Sequence, residues 1–259
     1  MVFNRSSLQY YMDLVFQMAR ADLRTEAARG YLGVLWWIIE PILYMGAFYI
    51  VFAHVYQRGD ENYVVFLLSG LIAWKWFHSS VIVGSNSLMV NANLMNQVYI
   101  PKIVFPLTTV VVNTLKFLII VSIFVLFLQF GHGKASWSWF YLPIIIFIQL
   151  LLIVAVTSFF SAIVPFLPDF RGILENVLLM IFFLSGIFFD INRIPPNFQK
   201  YLLLNPMAIL ITSFRDVLLK GDMPNWESLL VVVLISVSVL LGANFLFRKF
   251  DRIYPKIIY

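Results

Sequence analysis

The residues of this chain that could do chemistry are few and far apart. Its 259 residues include three histidines and no cysteine, so disulfides, thiolate nucleophiles and Cys-ligated metals are excluded. His54, His78 and His132 are scattered and read as interfacial or structural side chains. A nucleotide-binding phosphate loop needs GxxxxGK followed by Ser or Thr, because backbone amides, the lysine and the hydroxyl must converge on the phosphates and their metal. The nearest stretch, Gly131-His132-Gly133-Lys134-Ala135, lacks both the spacing and the hydroxyl. Neither HExxH nor GxSxG occurs. The chain by itself is therefore read as no enzyme and calls for no cofactor of its own.

What remains is charge in apolar surroundings: Lys75 between Trp74 and Trp76, Lys116, Glu40 before Pro41, and Glu175. Lys75 and Lys116 each fall roughly a dozen residues into an apolar run, near mid-depth of a membrane at about 1.5 Å per residue, where an unpaired ammonium is costly. Both should face an interior, either against an anionic headgroup such as a lipid diphosphate or against an internal partner. Arg24 and Arg29, just before the first apolar run, complete the set of candidates for guiding such a headgroup. Aromatic residues form a second set. Trp37, Tyr44 and Phe48 in one run, with Phe182 and Phe189 in another, fall on faces suited to stacking against sugar rings or to packing against lipid.

The elements that must position these residues follow from composition. With 61% hydrophobic and 12% charged residues and a mean hydropathy of +0.89, the chain is far more apolar than a soluble domain. Apolar runs able to cross a core of about 30 Å recur along nearly its whole length, at 33–56, 64–88, 104–130, 139–166, 172–189 and 229–247. No removable signal peptide precedes them. Between Ser7 and Glu26, Leu8, Tyr11, Met12, Val15, Ala19 and Leu23 recur at helical spacing, while Asp13, Gln17, Arg20 and Arg24 stripe another face, as in an amphipathic helix lying in a membrane surface.

Six spans put both termini on one side. Arg5, Arg20, Arg24 and Arg29 precede the first span, and Arg248, Lys249, Arg252 and Lys256 follow the last. The positive-inside bias makes that side cytoplasmic and accounts for the net charge of +5 without nucleic acid. Residues 190–227 then lie outside. They contain two apolar pieces too short to span, broken at Pro195-Pro196 and Asn205-Pro206, and a proline pair suits the first turn of a helix. Two short helices that dip in and return form a lid or gate on the outer side, with Arg215 near the end of the second. Between the second and third spans, Asn91 or Asn93 can cap a short cytoplasmic helix ahead of Pro101, a knob on which a separate ATPase could push. The fold class expected is all-α integral membrane. It has six transmembrane helices, an N-terminal amphipathic interface helix (1–32), two outer re-entrant helices (190–227) and a basic tail (248–259), all one domain.

Three stretches resemble a known family. RGYLGVLWWIIEPIL (Arg29–Leu43) resembles the entry to the first span of ABC-2-type export permeases. NLMNQVYIPKIVFPL (Asn93–Leu107) resembles their coupling loop, and LNPMAILITSFRDVLLKG (Leu204–Gly221) their segment before the last span. In order and nearly end to end, they make the chain similar to the membrane subunit of the exporters of O-antigen polysaccharide and teichoic acid. The resemblance implies a homodimer joined to two copies of a separately encoded ATPase, which binds ATP and Mg. It implies a cargo of polysaccharide linked to undecaprenyl diphosphate, carried across the inner membrane. It further assigns Asn93, Leu94, Met95, Asn96, Gln97 and Val98 to a coupling helix, the 7–26 helix to an interface beside it, and 195–220 to gate helices at the outer mouth. The chain departs from the family pattern at Ser185-Gly186-Ile187, where many relatives have S-P-I, and at Pro168-Asp169-Phe170-Arg171, where many have an R-D pair. A drug or small-lipid exporter of the same layout is the alternative cargo. A membrane-embedded transferase would need a cluster of acids, for which Asp169 with Glu175 is the candidate.

Overall fold

The computed structural model describes residues 5–28, 61–131 and 136–258, with a few positions between 33 and 50. Most of the expected first span, including Trp37, Tyr44 and Phe48, lies outside the described residues, as do Arg29 and Glu40. Every regular element among the described residues is helical. Helix α1 covers Arg5–Ala28, α2 Glu61–Ser85, α3 Ser87–Val90, α4 Ala92–Gln97 and α5 Val104–Gly131. A 3-10 turn at Trp137–Tyr141 leads into α6, Leu142–Ile163. Then come α7 (Phe170–Leu184), α8 (Pro196–Leu202), α9 (Pro206–Arg215), α10 (Trp226–Phe250) and α11 (Tyr254–Ile257).

Four helical segments, Tyr63–Ser85, Val104–Phe130, Trp137–Ile163 and Trp226–Phe250, are long and apolar enough to cross a membrane, so the chain is a multi-pass membrane protein. They correspond to the second, third, fourth and sixth expected spans. The fifth differs: α7 ends at Leu184 rather than Phe189 and has 15 residues, about 22 Å of rise. Gly186, at φ 71°, turns the chain there, a conformation in which glycine carries no Cβ penalty. Its position is tight, since a Cβ would come within 2.7 Å of the Ile191 side chain. Phe182 and Phe189 are consequently not on one continuous helix face, contrary to expectation.

α6 packs against α2, α5, α9 and α10. Closeness to α2 depends on Gly84, where a Cβ would fall 2.2 Å from Cγ2 of Thr157. Small residues let helix backbones approach where lipid supplies no hydrophobic drive between them. Hydrogen bonds tie α6 to α2, from Gln149 to the Ala73 carbonyl at 2.7 Å, and to α3, between the hydroxyls of Ser87 and Ser161 at 3.1 Å. Helix α7 is peripheral, packing on α2 with Phe182 against Trp74, burying Leu174 and Leu178 and leaving Ile173, Val177, Met180, Phe183 and Leu184 exposed.

The amphipathic helix forms, but it does not lie apart from the bundle. α1 packs along α5, turning Val15 and Ala19 inward with Tyr11 and Met18 beside them. Met12, expected on the same apolar face, points outward together with Tyr10 and Phe16. Met12 and Phe16, four residues apart, share one face and give α1 a second apolar strip, suited to an interface.

Candidate functional site

Polar and buried residues gather at the two ends of the bundle. At the first end, α2 hands over through α3 to α4, and α5 begins. Here Val15 of α1, Leu88 of α3, Met95 of α4, Phe105 of α5, Ala162 of α6, Phe247 of α10 and the tail residues Tyr254 and Ile258 form one buried cluster. The segments at both chain ends thus share one end of the bundle. Of the expected coupling residues, Met95 is buried and Leu94 half-buried, while Asn93, Asn96, Gln97 and Val98 are exposed. The helix runs 92–97, and Val98 is already extended. Asn91 occupies the N-cap position, yet its side chain donates to the Ser87 carbonyl at 2.8 Å instead of capping α4. Pro101 follows and the chain re-enters at Val104, as the sequence suggested.

Behind α4 the turn is polar. The Tyr99 hydroxyl donates to Asp251 at 3.0 Å, which together with partial burial raises its pKa above the ordinary range. Lys102 is buried, its ammonium donating to the Ile100 carbonyl at 3.2 Å. Loss of water depresses its pKa, and Asp251 opposes that fall. Tyr254 donates to the Ala162 carbonyl at 3.0 Å, and burial raises its pKa.

At the opposite end Arg215 closes a knot of three elements. Only 4% exposed, it donates through Nη1 to the Gly186 carbonyl at 2.7 Å and through Nη2 to the carbonyls of Ile187 at 2.9 Å and Phe66 at 3.1 Å. Its Nε donates to the Phe66 carbonyl and the Ser69 hydroxyl at 3.3 and 3.4 Å. The guanidinium carbon lies 3.4 Å from the centroid of the Phe66 ring. Gly70 leaves room for it, since a Cβ there would stand 2.8 Å from Nη2. A planar fork of five donors suits such an arrangement of carbonyls, which an ammonium could not span. Asn205 caps α9 by accepting from the Met207 amide at 3.0 Å and donates to the Ser185 hydroxyl at 2.8 Å. The Tyr63 hydroxyl donates to the Phe188 carbonyl at 3.0 Å. The turn after α7 is therefore held by α2 on one side and by both ends of α9 on the other.

Helices α8 and α9 start at the expected prolines, Pro196 and Pro206, after Pro195 and Asn205. Including the π turn 216–220 that continues α9, the pair is bent by 107°. The two differ in surroundings. α9 is buried over most of its length, whereas no residue of α8 is buried, and Phe198, Tyr201 and Leu204 are exposed.

The isolated charges are resolved unevenly. Lys116 of α5 forms an ion pair with Glu26 of α1, the internal-partner alternative for that residue. Lys75 is half-buried on α2 with its ammonium nitrogen shielded from solvent. It and Glu175 of α7 both lie within electrostatic range of His78. Arg171 pairs with Glu175 at 3.2 Å on the exposed side of α7, while Arg24 is exposed on α1. Phe182 packs against Trp74 of α2 and against Phe183 and Phe188, with ring centroids 5.2–5.5 Å apart. Asp169 is exposed beside α7, and among the described residues no group of three or more His, Asp or Glu could hold a metal ion.

Sequence reasoning missed Phe66 and Ser69 as partners of Arg215, Gly70 as the position that leaves it room, Ser185 as the partner of Asn205 and Tyr63 as the partner of the Phe188 carbonyl. The i, i+3 spacing of Tyr63, Phe66 and Ser69 is a signal that one face of α2 meets a polar group. Tyr99, Asp251 and Tyr254 were likewise not singled out.

A family model described as ABC-2 type transporter matches residues 14–219. The chain is 28% identical to the O-antigen export system permease protein RfbA of Klebsiella pneumoniae over 97% of each chain. Against the RfbA permease of Myxococcus xanthus identity is 28%, over 93% of this chain and 94% of that one. It is also 26% identical to the polysialic acid transport protein KpsM of Escherichia coli, over 94% of this chain and 96% of that one.

Proposed function

The chain belongs to the ABC-2 type transporter family, and from that premise we propose that it is the channel-forming membrane subunit of an exporter of lipid-linked polysaccharide. Carrying this reading is likeness over nearly the whole length to permeases named for O-antigen and polysialic acid. The cargo is a glycan on undecaprenyl diphosphate, as in O-antigen export, and it leaves through the inner membrane. Two copies of the chain form the pathway, with both termini cytoplasmic.

The work comes from two copies of a separate ABC ATPase, which binds ATP and Mg. They dock on Asn93–Val98, the exposed side of α4, beside the α1 interface helix. Displacement of α4 passes into α5 and opens a route between copies of the first span and α7. On this route Trp37, Tyr44, Phe48, Phe182 and Phe189 offer aromatic surface to sugar rings. Arg24, Arg29, Lys75 and Lys116 are the cations available to the diphosphate. Lys75 shares electrostatic surroundings with His78 and Glu175 between α2 and α7, its ammonium shielded from solvent until the route opens. Lys116 would have to release Glu26. α8 and α9, from Pro195 to Lys220, gate the outer mouth, and the Arg215 knot sets where the gate hinges.

The decisive experiment deletes the gene in its own cell, complements it, and fractionates lipid-linked surface glycan. Polymer should accumulate on its lipid carrier inside while the surface is depleted. Unchanged surface glycan would overturn the polysaccharide reading and move a small-lipid or drug cargo to first place.

A further inference from the structure

We propose that the C-terminal segment Asp251–Ile258 is a positioning brace for α4, fixing the coupling helix to the ends of α6 and α10 so that the three move as one body. The inference rests on the reading of α4 as the docking element for the ATPase.

Four observations carry it. Tyr254 is fully buried although it lies four residues beyond the last span, and its hydroxyl takes up the Ala162 carbonyl in the last turn of α6. Carbonyls in a last helical turn have no partner within their own helix, so the bond ties the tail to α6 specifically. The ring packs on Phe166 and Phe247, with centroids at 5.4 and 6.0 Å. Ile258 is buried in the same cluster as Met95 of α4 and Ile100 behind it, and α11 touches α4 directly. Finally, Asp251 receives the Tyr99 hydroxyl from the turn that joins α4 to α5.

The pattern of the tail fits this arrangement. Tyr254 and Ile258 are four residues apart and point inward, while Arg252 and Lys256, also four apart, are exposed. The outward side chains thus carry the positive charge that orients the chain, while Tyr254 at the start of α11 and Ile258 just past its end are buried apolar groups that orientation alone would not require. A tail serving only as a topological signal has no use for a buried tyrosine with a satisfied hydroxyl.

The test uses the whole exporter, chain plus ATPase, in membranes of the deletion strain and in proteoliposomes. Tyr254→Phe removes the bond to Ala162 and keeps the ring, Tyr254→Ala removes both, and Tyr99→Phe removes the bond to Asp251. Three quantities are read for each variant: ATPase co-purified, ATP hydrolysed, and glycan exported per ATP. In Tyr254→Ala the ATPase should remain bound and hydrolysing while export per ATP falls about fivefold or more, the population shift that one lost hydrogen bond and its packing would cause. Tyr254→Phe and Tyr99→Phe should fall between this variant and the parent. Unchanged export per ATP in Tyr254→Ala overturns the brace, and so does a fall in all three quantities in step with the amount of folded protein. Should Tyr254→Ala fail to accumulate, Tyr99→Phe combined with Asp251→Asn decides, since it opens no cavity: parental export per ATP then overturns the proposal. Failure of the parent chain to restore surface glycan sinks the exporter reading instead. Unaltered ATPase binding after charge is placed on the exposed side of α4, by Gln97→Glu with Asn93→Asp, sinks only the docking assignment.

Discussion

At the scale of single residues, the chemistry here is recognition of backbone by buried cations. Arg215→Ala leaves the carbonyls of Phe66, Gly186 and Ile187 without their donor in surroundings from which water is excluded. This should cost about 3 kcal/mol or more. Arg215→Lys keeps the charge but cannot fork between the carbonyls and should recover only part of the loss. Thermal unfolding of the purified complex in detergent reads both, and a parental melting temperature for Arg215→Ala would show that the knot contributes nothing. Lys102 makes a pH prediction. Its pKa is depressed in the folded chain by loss of water, with Asp251 opposing, so near its ordinary value of 10.5 the unfolded chain binds more protons than the folded one. Stability from this group therefore rises as pH climbs toward 10.5 and is lost as pH falls through the depressed value. Tyr99 and Tyr254, raised above their ordinary 10.0, keep the proton longer in the folded chain and so oppose this rise near and above pH 10, in parent and Lys102→Met alike. Alkaline melting curves of the parent should climb where those of Lys102→Met stay flatter. Equal slopes would place Lys102 in water.

At the scale of elements, the parts legible in the sequence were those whose signal is local. Apolar length marked α2, α5, α6 and α10, and the proline pairs marked the starts of α8 and α9 to the residue. The end of α7 was legible only as a departure from the pattern that the family resemblance implies, at Ser185-Gly186-Ile187, and the chain breaks there through a positive φ. Continuous hydrophobicity through Phe189 hid the break, because a membrane segment stays apolar on both sides of a turn. Partners were not legible. Nothing near Arg215 in sequence foretells Phe66, some 150 residues away, and nothing in the tail foretells Ala162. The α2–α6 contact supplies a test of how close these elements lie. Gly84→Ala should destabilise by about 1–3 kcal/mol by driving a methyl into Thr157. Thr157→Ser, which deletes the obstructing Cγ2, should rescue much of that loss in the double variant. Additive losses in unfolding measurements would mean that the two positions do not touch.

At the scale of the whole molecule, the bundle is lopsided. α2 and α6 have helices on several sides, whereas α7 packs on α2 with Phe182 against Trp74 and presents Ile173, Val177, Met180 and Leu184 to the outside. Their spacing of four, three and four residues is that of a single helical stripe. Lipid could cover it. Arg171, Glu175 and Asn176, in the first two turns of the same helix, are also exposed, and wherever these turns enter hydrocarbon such groups favour a protein-lined or watered path. In the homodimer proposed above, two such helices facing each other would give both faces their environment, with the stripes in contact and the polar groups toward the route. Since the chain has no cysteine of its own, one introduced thiol reports on one contact. Met180→Cys should yield a disulfide-linked dimer when membranes are oxidised. Leu241→Cys, equally exposed but on α10, should remain monomeric on the same gel. The reverse result, or none from any position of the α7 stripe, would move the dimer axis away from α7 and with it the pathway that Phe182 is taken to line.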